Sequence, residues 1–115
     1  PLFKGEARTK ANKVMEYLGD RLLGAIIITN MYEKNPKADV ETLCHFGQLF
    51  QTNMHFGLVM RYLCISVQLP FGGENKDKTL ADVFECLCGA IWLDCKEFEK
   101  TGEVIIRIMR SVPLL

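Results

Sequence analysis

Hydrophobic residues recur every three or four positions along most of this chain, which is the spacing of amphipathic helices, and almost no stretch alternates as a strand does. We therefore predict an all-α fold with five helices. The first should run from about residue 11 to 32 and end before Asn35-Pro36, because a proline restricts the residue before it. The second helix is expected at about 39–53 and the third from there to about 68, and the segment 69–73 should end it. The fourth and fifth helices are expected at about 79–94 and 98–111.

The first predicted helix carries two carboxylates beside its most apolar part. Glu16 and Asp20 are four residues apart and share a face that continues through Leu23 and Ile27. The opposite arc carries Met15, Leu18, Leu22, Ala25 and Ile26, so residues 22–28 are apolar almost all round, as in a central helix. Acids that adjoin a core must be protonated, paired with bases or bound to a metal.

Apolar residues recur along each of the later helices, and in the third, fourth and fifth they predict the buried face. The second helix carries three large apolar residues: Leu43, Phe46 and Leu49. The third should bury Phe56, Val59, Met60 and Leu63. The fourth has the longest stripe: Leu80, Val83, Phe84, Leu87, Cys88, Ile91 and Cys95. The fifth helix should bury Val104, Ile105, Ile108 and Met109. It should turn Arg107 and Arg110 outward.

The fourth helix carries a second acid pair, Asp82 and Glu85. Gly89 follows them on the same face of the helix, one to two turns further along. A glycine costs roughly 1 kcal/mol relative to alanine inside a helix, so close approach of another helix is its plainest use. If the first and fourth helices meet at these faces, four carboxylates converge, and a hard divalent cation such as Mg²⁺ turns their repulsion into attraction. Taken alone, either acid pair is more often a solvated helix surface.

Composition bounds the remaining possibilities. The chain has 115 residues, 49% of them hydrophobic, so we expect one globular domain over 1–115. Fourteen basic residues balance fourteen acidic ones, so the net charge gives no sign of the strongly basic surface of a stand-alone nucleic-acid binder, and any such partner must be held locally. Five cysteines, an odd number inside apolar stretches, favour reduced thiols. We expect an intracellular protein, in nucleus or cytoplasm, with no membrane span and no secretion signal.

Two blocks of the sequence resemble the signature blocks of the ribonuclease III family. The first is NKVMEYLGDRLLG, residues 12–24, and the second is KTLADVFECLCGAIWLD, residues 78–94. LFQTN, residues 49–53, resembles the family's helix between the blocks. The likeness covers residues 12–94 well and the tail loosely.

This resemblance implies a compact, multi-helix endonuclease domain that cleaves double-stranded RNA with Mg²⁺, for which Mn²⁺ can substitute. The products would carry 5′-phosphate and 3′-hydroxyl ends with short 3′ overhangs. The family's four metal-binding acids map onto this chain as Glu16, Asp20, Asp82 and Glu85. Lys78 matches the lysine that opens the second block, and it can hold the scissile phosphate or its water; an ordinary surface lysine at a helix start is the alternative.

Other matches and departures concern the substrate. Asn12 matches the asparagine of the first block, where it would orient a carboxylate, contact substrate or cap the helix. Lys13 replaces a glutamate common in the family, which puts efficient turnover in doubt. Together with Arg21 it lies in a basic stretch that either follows an RNA backbone or is simply solvated: Lys4, Arg8, Lys10, Lys13 and Arg21.

The chain also departs from the family at its two ends. The family's usual N-terminal motif is not recognisable, so that helix is expected to be missing, divergent or truncated. We expect no double-stranded-RNA-binding domain after residue 115, and RNA affinity should then be weak and strongly salt-dependent.

The resemblance, together with an excess of apolar residues, predicts a homodimer, or a heterodimer with a related domain. Our candidate interface residues are Phe50, Met54, Phe84 and Trp92. The alternative function is a non-catalytic module that dimerises with, or scaffolds, an RNA-processing partner. Glu41 and His45, one helical turn apart, are more typical of a surface hydrogen bond than of a metal site. A di-iron bundle is excluded, because the chain contains no Glu-x-x-His pair.

Overall fold

The computed structural model of the chain consists of five α-helices, and it describes the backbone of residues 5–63 and 76–112 and the side chains of 12–63 and 78–112. The helices are α1 (Gly5–Lys34), α2 (Val40–Phe50), α3 (Asn53–Tyr62), α4 (Lys76–Cys95) and α5 (Phe98–Arg110). No strand occurs among the described residues. The all-α prediction is confirmed.

The helix bounds differ from the predicted ones mainly at the start of α1. This helix begins at Gly5 rather than near residue 11, so Asn12 lies inside the helix and does not cap it. That alternative for Asn12 is wrong. The part of the predicted third helix beyond residue 63, and the predicted stop at 69–73, lie outside the described residues.

Two side-chain caps separate α2 from its neighbours. Asp39 accepts a hydrogen bond from the backbone N–H of Thr42 at 2.8 Å, at the start of α2. Thr52 accepts one from the backbone N–H of His55 at 3.0 Å, at the start of α3. Each cap satisfies a backbone donor that has no partner within its own helix, so the chain breaks where these short polar residues stand.

The core lies where α1, α3 and α4 meet, and α5 closes it. Phe84 of α4 is fully buried, and its ring lies 5.2 Å from that of Phe56 in α3. Leu23 and Ile27, which continue the acidic face of α1, are also buried, so the carboxylates of α1 do adjoin the core. The other large apolar members are Ile26, Val59, Met60, Cys88 and Ile105.

Two predictions about side-chain placement are wrong. Val104 is 45% exposed, because the buried face of α5 is centred on Thr101 and Ile105 and the helix turns its Ile106 side towards the core. Phe84 is completely inside the protein, as its place in the stripe of the fourth helix predicts, so it cannot contribute to an interface between subunits.

The outer surface keeps several large apolar side chains. On α2, Phe46 is 44% and Leu49 is 54% exposed, and Met54 at the start of α3 is 73% exposed. Within the described part of the chain, no helix combines the length and the apolar character that crossing a membrane requires.

Candidate metal centre

Three carboxylates from two distant stretches of sequence meet between α1 and α4. Glu16 of α1 and Asp82 and Glu85 of α4 each offer one oxygen, and these oxygens all lie within 4.8 Å of one another. All three side chains are half-buried. An arrangement of this size presents several oxygen ligands to a single point, as a hard divalent cation requires.

Two glycines allow the helices to approach closely enough for this meeting. A Cβ atom added at Gly19 would overlap the backbone carbonyl of Glu85. A Cβ added at Gly89 would lie 2.8 Å from the carbonyl oxygen of Met15. The prediction that Gly89 serves close helix packing is therefore confirmed, whereas the tighter contact at Gly19 was missed, although a glycine inside a predicted helix signals one.

The close packing makes Glu85 difficult to ionise. Burial, which is the larger cause, and the negative charges of Asp20, Asp82 and Glu16 together raise the pKa of Glu85 to about 7. Partial removal from water disfavours the charged form, and the neighbouring acids add repulsion. Glu85 is therefore about half protonated at neutral pH in the metal-free protein.

Glu16 is perturbed in the same direction. Burial raises the pKa of Glu16, and both the charge of Asp82 and a hydrogen bond with the Asp82 side chain raise it too. Burial and repulsion therefore both disfavour the ionised form of Glu16, which is the form that a cation binds.

Asp20, the fourth predicted acid, lies at the margin of this group. Its side chain is exposed, and it is not among the three acids whose oxygens lie within 4.8 Å of one another. Its charge nevertheless raises the pKa of Glu85, so it faces the same region. The structure brings three of the four acids together and leaves Asp20 beside them.

Lys78 lies one helical turn before Asp82 and forms an ion pair with it. The distance from its Nζ to Oδ2 of Asp82 is 3.5 Å, and the lysine side chain is 61% exposed. Its positive charge also lowers the pKa of Glu16 and that of Glu85, against the stronger effect of burial. A single ammonium group therefore acts on acids from both helices.

The three predicted substrate-binding residues all belong to α1, the helix that carries Glu16. The carbonyl oxygen of Asn12 accepts a hydrogen bond from the thiol of Cys86, 3.3 Å away. Lys13 is exposed, and its charge lowers the pKa of Glu16. The guanidinium of Arg21 stacks over the ring of Tyr17, 5.1 Å from its centre.

The donor set suits a hard cation. Among the described residues, the potential metal-binding group contains three carboxylates and neither histidine nor cysteine, so all of its ligand atoms are oxygens. Oxygen-only ligation is typical of Mg²⁺, Mn²⁺ and Ca²⁺. Glu41 and His45 are exposed on α2 and are not in this group, in agreement with the surface interpretation.

The sequence patterns did not indicate a cleft between α1 and α5. Its volume is about 640 Å³, and Ile26 and Ile106 form part of its apolar wall. Charged side chains of both signs also line it, among them Glu103 and Arg107. None of the four candidate metal-binding acids belongs to the lining. Each helix looks ordinary by itself, so only their packing reveals the cleft.

Comparisons with known proteins point to one family. The model of the family described as Ribonuclease III domain matches residues 13–96. The chain is 34% identical over 102 residues to Ribonuclease 3 of Pseudoalteromonas translucida, covering 83% of this chain and 45% of that protein. It is 32% identical over 93 residues to Ribonuclease 3 of Symbiobacterium thermophilum, covering 76% and 40%. The chain thus spans about half the length, or less, of these curated relatives. No solved structure matches it significantly.

Proposed function

The chain belongs to the ribonuclease III family, and from this we propose that it is the catalytic domain of a divalent-metal-dependent endonuclease that cleaves double-stranded RNA. The support comes from one observation above all, the convergence of Glu16, Asp82 and Glu85 within 4.8 Å. The matched relatives carry the name Ribonuclease 3. The proposed products have 5′-phosphate and 3′-hydroxyl ends and short 3′ overhangs.

In this proposal, three acids would hold the metal directly and a fourth would assist them. Glu16, Asp82 and Glu85 would be the direct ligands, and Asp20 would add negative charge from the margin. Mg²⁺, or Mn²⁺ in its place, would supply a bound water of lowered pKa and positive charge for the phosphate in transit. The half-buried position of the acids limits competition from solvent, because a charge in a partly dry site interacts more strongly with its counterion.

The protein's own groups supply the remaining chemistry. Glu85, whose pKa of about 7 leaves it partly protonated at neutral pH without metal, would have to be ionised to act as a ligand. Lys78 provides an ammonium group at the rim of the site for a phosphate oxygen. Lys13, Arg21 and Asn12 lie on the α1 side, where the two basic side chains would contact the RNA backbone.

The direct test is cleavage of duplex RNA by the purified protein at low salt with Mg²⁺ or Mn²⁺. We expect discrete fragments with 5′-phosphates. Asp82→Asn removes a ligand charge with little change of shape and should abolish cleavage. Asp94→Asn makes the same change at an exposed position on the same helix and should cleave normally. Equal cleavage by both variants would rule out the proposed centre.

We further propose that the active form is a dimer, in which two such domains bind one duplex. The large exposed side chains of Phe46, Leu49 and Met54 give the surface an apolar area that an interface would cover. Sedimentation of the purified protein tests this assembly, and co-expression with a related domain distinguishes a homodimer from a heterodimer.

The second candidate function is a non-catalytic module that pairs with an RNA-processing partner. Lys13 favours the non-catalytic function, because it stands at the position where the family commonly has a glutamate. Its positive charge acts on Glu16, whose pKa it lowers. Titration calorimetry with Mn²⁺ separates the two functions: an active centre takes up the metal, and a non-catalytic module does not need to.

A further inference from the structure

We propose that Lys78 is a built-in counter-cation of the carboxylate group, which a divalent metal ion displaces and thereby releases to bind a phosphate oxygen of the substrate. This inference rests on the proposed function and adds to it an exchange of partners by one side chain. It concerns Lys78, Asp82 and the two acids beside Asp82.

The first support is the position of the ammonium. Nζ of Lys78 lies 3.5 Å from Oδ2 of Asp82, and that aspartate belongs to the group whose oxygens lie within 4.8 Å of one another. The lysine acts on more than its direct partner, since its charge also lowers the pKa of Glu16 and of Glu85. It thus partly neutralises acids of both α1 and α4.

The second support is the strength and exposure of the ion pair. The side chain of Lys78 is 61% exposed and that of Asp82 is 32% exposed. Ion pairs at such positions contribute at most about 1 kcal/mol, whereas a divalent ion held by several carboxylates interacts far more strongly. A metal ion therefore wins the competition for Asp82, and like charge then repels the ammonium from the oxygens that it contacted.

The third support is the reach of the lysine side chain. Lys78 remains attached to α4 one turn before Asp82, so its released ammonium stays close to the metal. A phosphate oxygen entering the site is the nearest new anion that it can meet there. Metal uptake and substrate contact are linked in this way, because the same event that fills the site frees the cation.

The linkage predicts opposite effects of one substitution. Lys78→Met keeps the length and packing of the side chain but removes its charge, so the protein should bind Mn²⁺ more tightly. We expect the dissociation constant to fall about two- to five-fold, the ratio that corresponds to an exposed ion pair. Cleavage at saturating metal should nevertheless become slower, because the phosphate has lost its ammonium partner.

The chain offers a matched control in Lys100. Its Nζ forms an ion pair with Oε2 of Glu97 at 3.1 Å, and its side chain is 68% exposed, on α5 and outside the carboxylate group. Lys100→Met should leave both Mn²⁺ affinity and cleavage unchanged. Lys13→Met gives an intermediate case: it should tighten metal binding less than Lys78→Met, since the charge of Lys13 lowers the pKa of Glu16 less than that of Lys78 does.

Titration calorimetry with Mn²⁺ on the full chain, together with cleavage of duplex RNA at saturating Mn²⁺, tests the inference. Tighter metal binding with slower cleavage in Lys78→Met, and neither change in Lys100→Met, supports it. Unchanged or weaker metal binding in Lys78→Met overturns the role of counter-cation, and unchanged cleavage overturns the contact with phosphate. If the unmodified protein itself takes up no Mn²⁺, the proposed nuclease function fails instead.

Discussion

Replacing Glu85 by glutamine should stabilise the metal-free protein at alkaline pH, although it removes a proposed metal ligand. Glutamine has the shape of a protonated glutamate and carries no charge. Burial and three neighbouring acids raise the pKa of Glu85 from 4.5 to about 7. Because the folded state holds this proton more tightly than the unfolded chain, ionisation of Glu85 weakens folding.

The sign and the pH window follow from those two values. Below about pH 4.5 the glutamate is protonated in both states, and its contribution to stability is fully present. Between 4.5 and about 7 the unfolded chain ionises first, and stability is lost as the pH rises. The full difference corresponds to roughly 3 kcal/mol, and solvent screening of this partly exposed side chain reduces it to about 1–2 kcal/mol.

Urea unfolding followed by circular dichroism, with a chelator present, measures this effect. At about pH 8, Glu85→Gln should raise the free energy of unfolding by about 1–2 kcal/mol, and near pH 4.5 the gain should almost vanish. Glu103→Gln makes the same chemical change at an exposed position of α5 and should change little at either pH.

A metal ion should reverse the ranking of the two proteins. Excess Mg²⁺ binds the folded state and stabilises the unmodified protein, whereas Glu85→Gln, with one ligand charge fewer, gains less. The reasoning is refuted if Glu85→Gln is no more stable than the unmodified protein at about pH 8 without metal. It is equally refuted if the gain is the same near pH 4.5.

Three other predictions concern packing and reactivity. Gly19→Ala should lower the free energy of unfolding by about 3 kcal/mol or more, because its Cβ would overlap the backbone of Glu85. Gly102→Ala is the control: its Cβ would lie 3.6 Å from the nearest side-chain atom, so this variant should fold normally. Urea unfolding of the two variants measures the difference. Thr101→Val should raise the free energy of unfolding by about 1 kcal/mol, since the buried Oγ1 has no hydrogen-bond partner among the described residues, and a loss of stability would contradict this. Burial raises the pKa of the Cys86 thiol to about 11, so at neutral pH iodoacetamide should modify the exposed Cys44 well before Cys86, as peptide mass spectrometry would show.

The helices and the shared faces of the acid pairs were predictable from sequence. Apolar periodicity fixes which residues form helices, because a 3.6-residue repeat leaves a continuous stripe on one side. The spacing of Glu16 and Asp20, and of Asp82 and Glu85, places each pair on one face for the same reason. The residues around these acids form two blocks, in the order and spacing of the ribonuclease III family, and the comparisons confirm that family.

Details of the candidate centre needed the tertiary structure. Periodicity says which residues share a face, but it does not say how deeply that face is buried or how far each helix is rotated against its neighbour. That rotation leaves Asp20 exposed while Glu85 is half-buried with its pKa near 7. It also turns Val104 outward, places Phe84 wholly inside, and opens the cleft between α1 and α5.

The sequence by itself therefore determined the all-α class, the family and the four candidate acids. Only the tertiary structure decided which acids meet, that burial and repulsion raise the pKa of Glu16 and Glu85, and that Lys78 already pairs with Asp82. The physical reason is that helix formation depends on residues within a few turns, whereas the pKa of a carboxyl group depends on charges and burial contributed by helices distant in sequence.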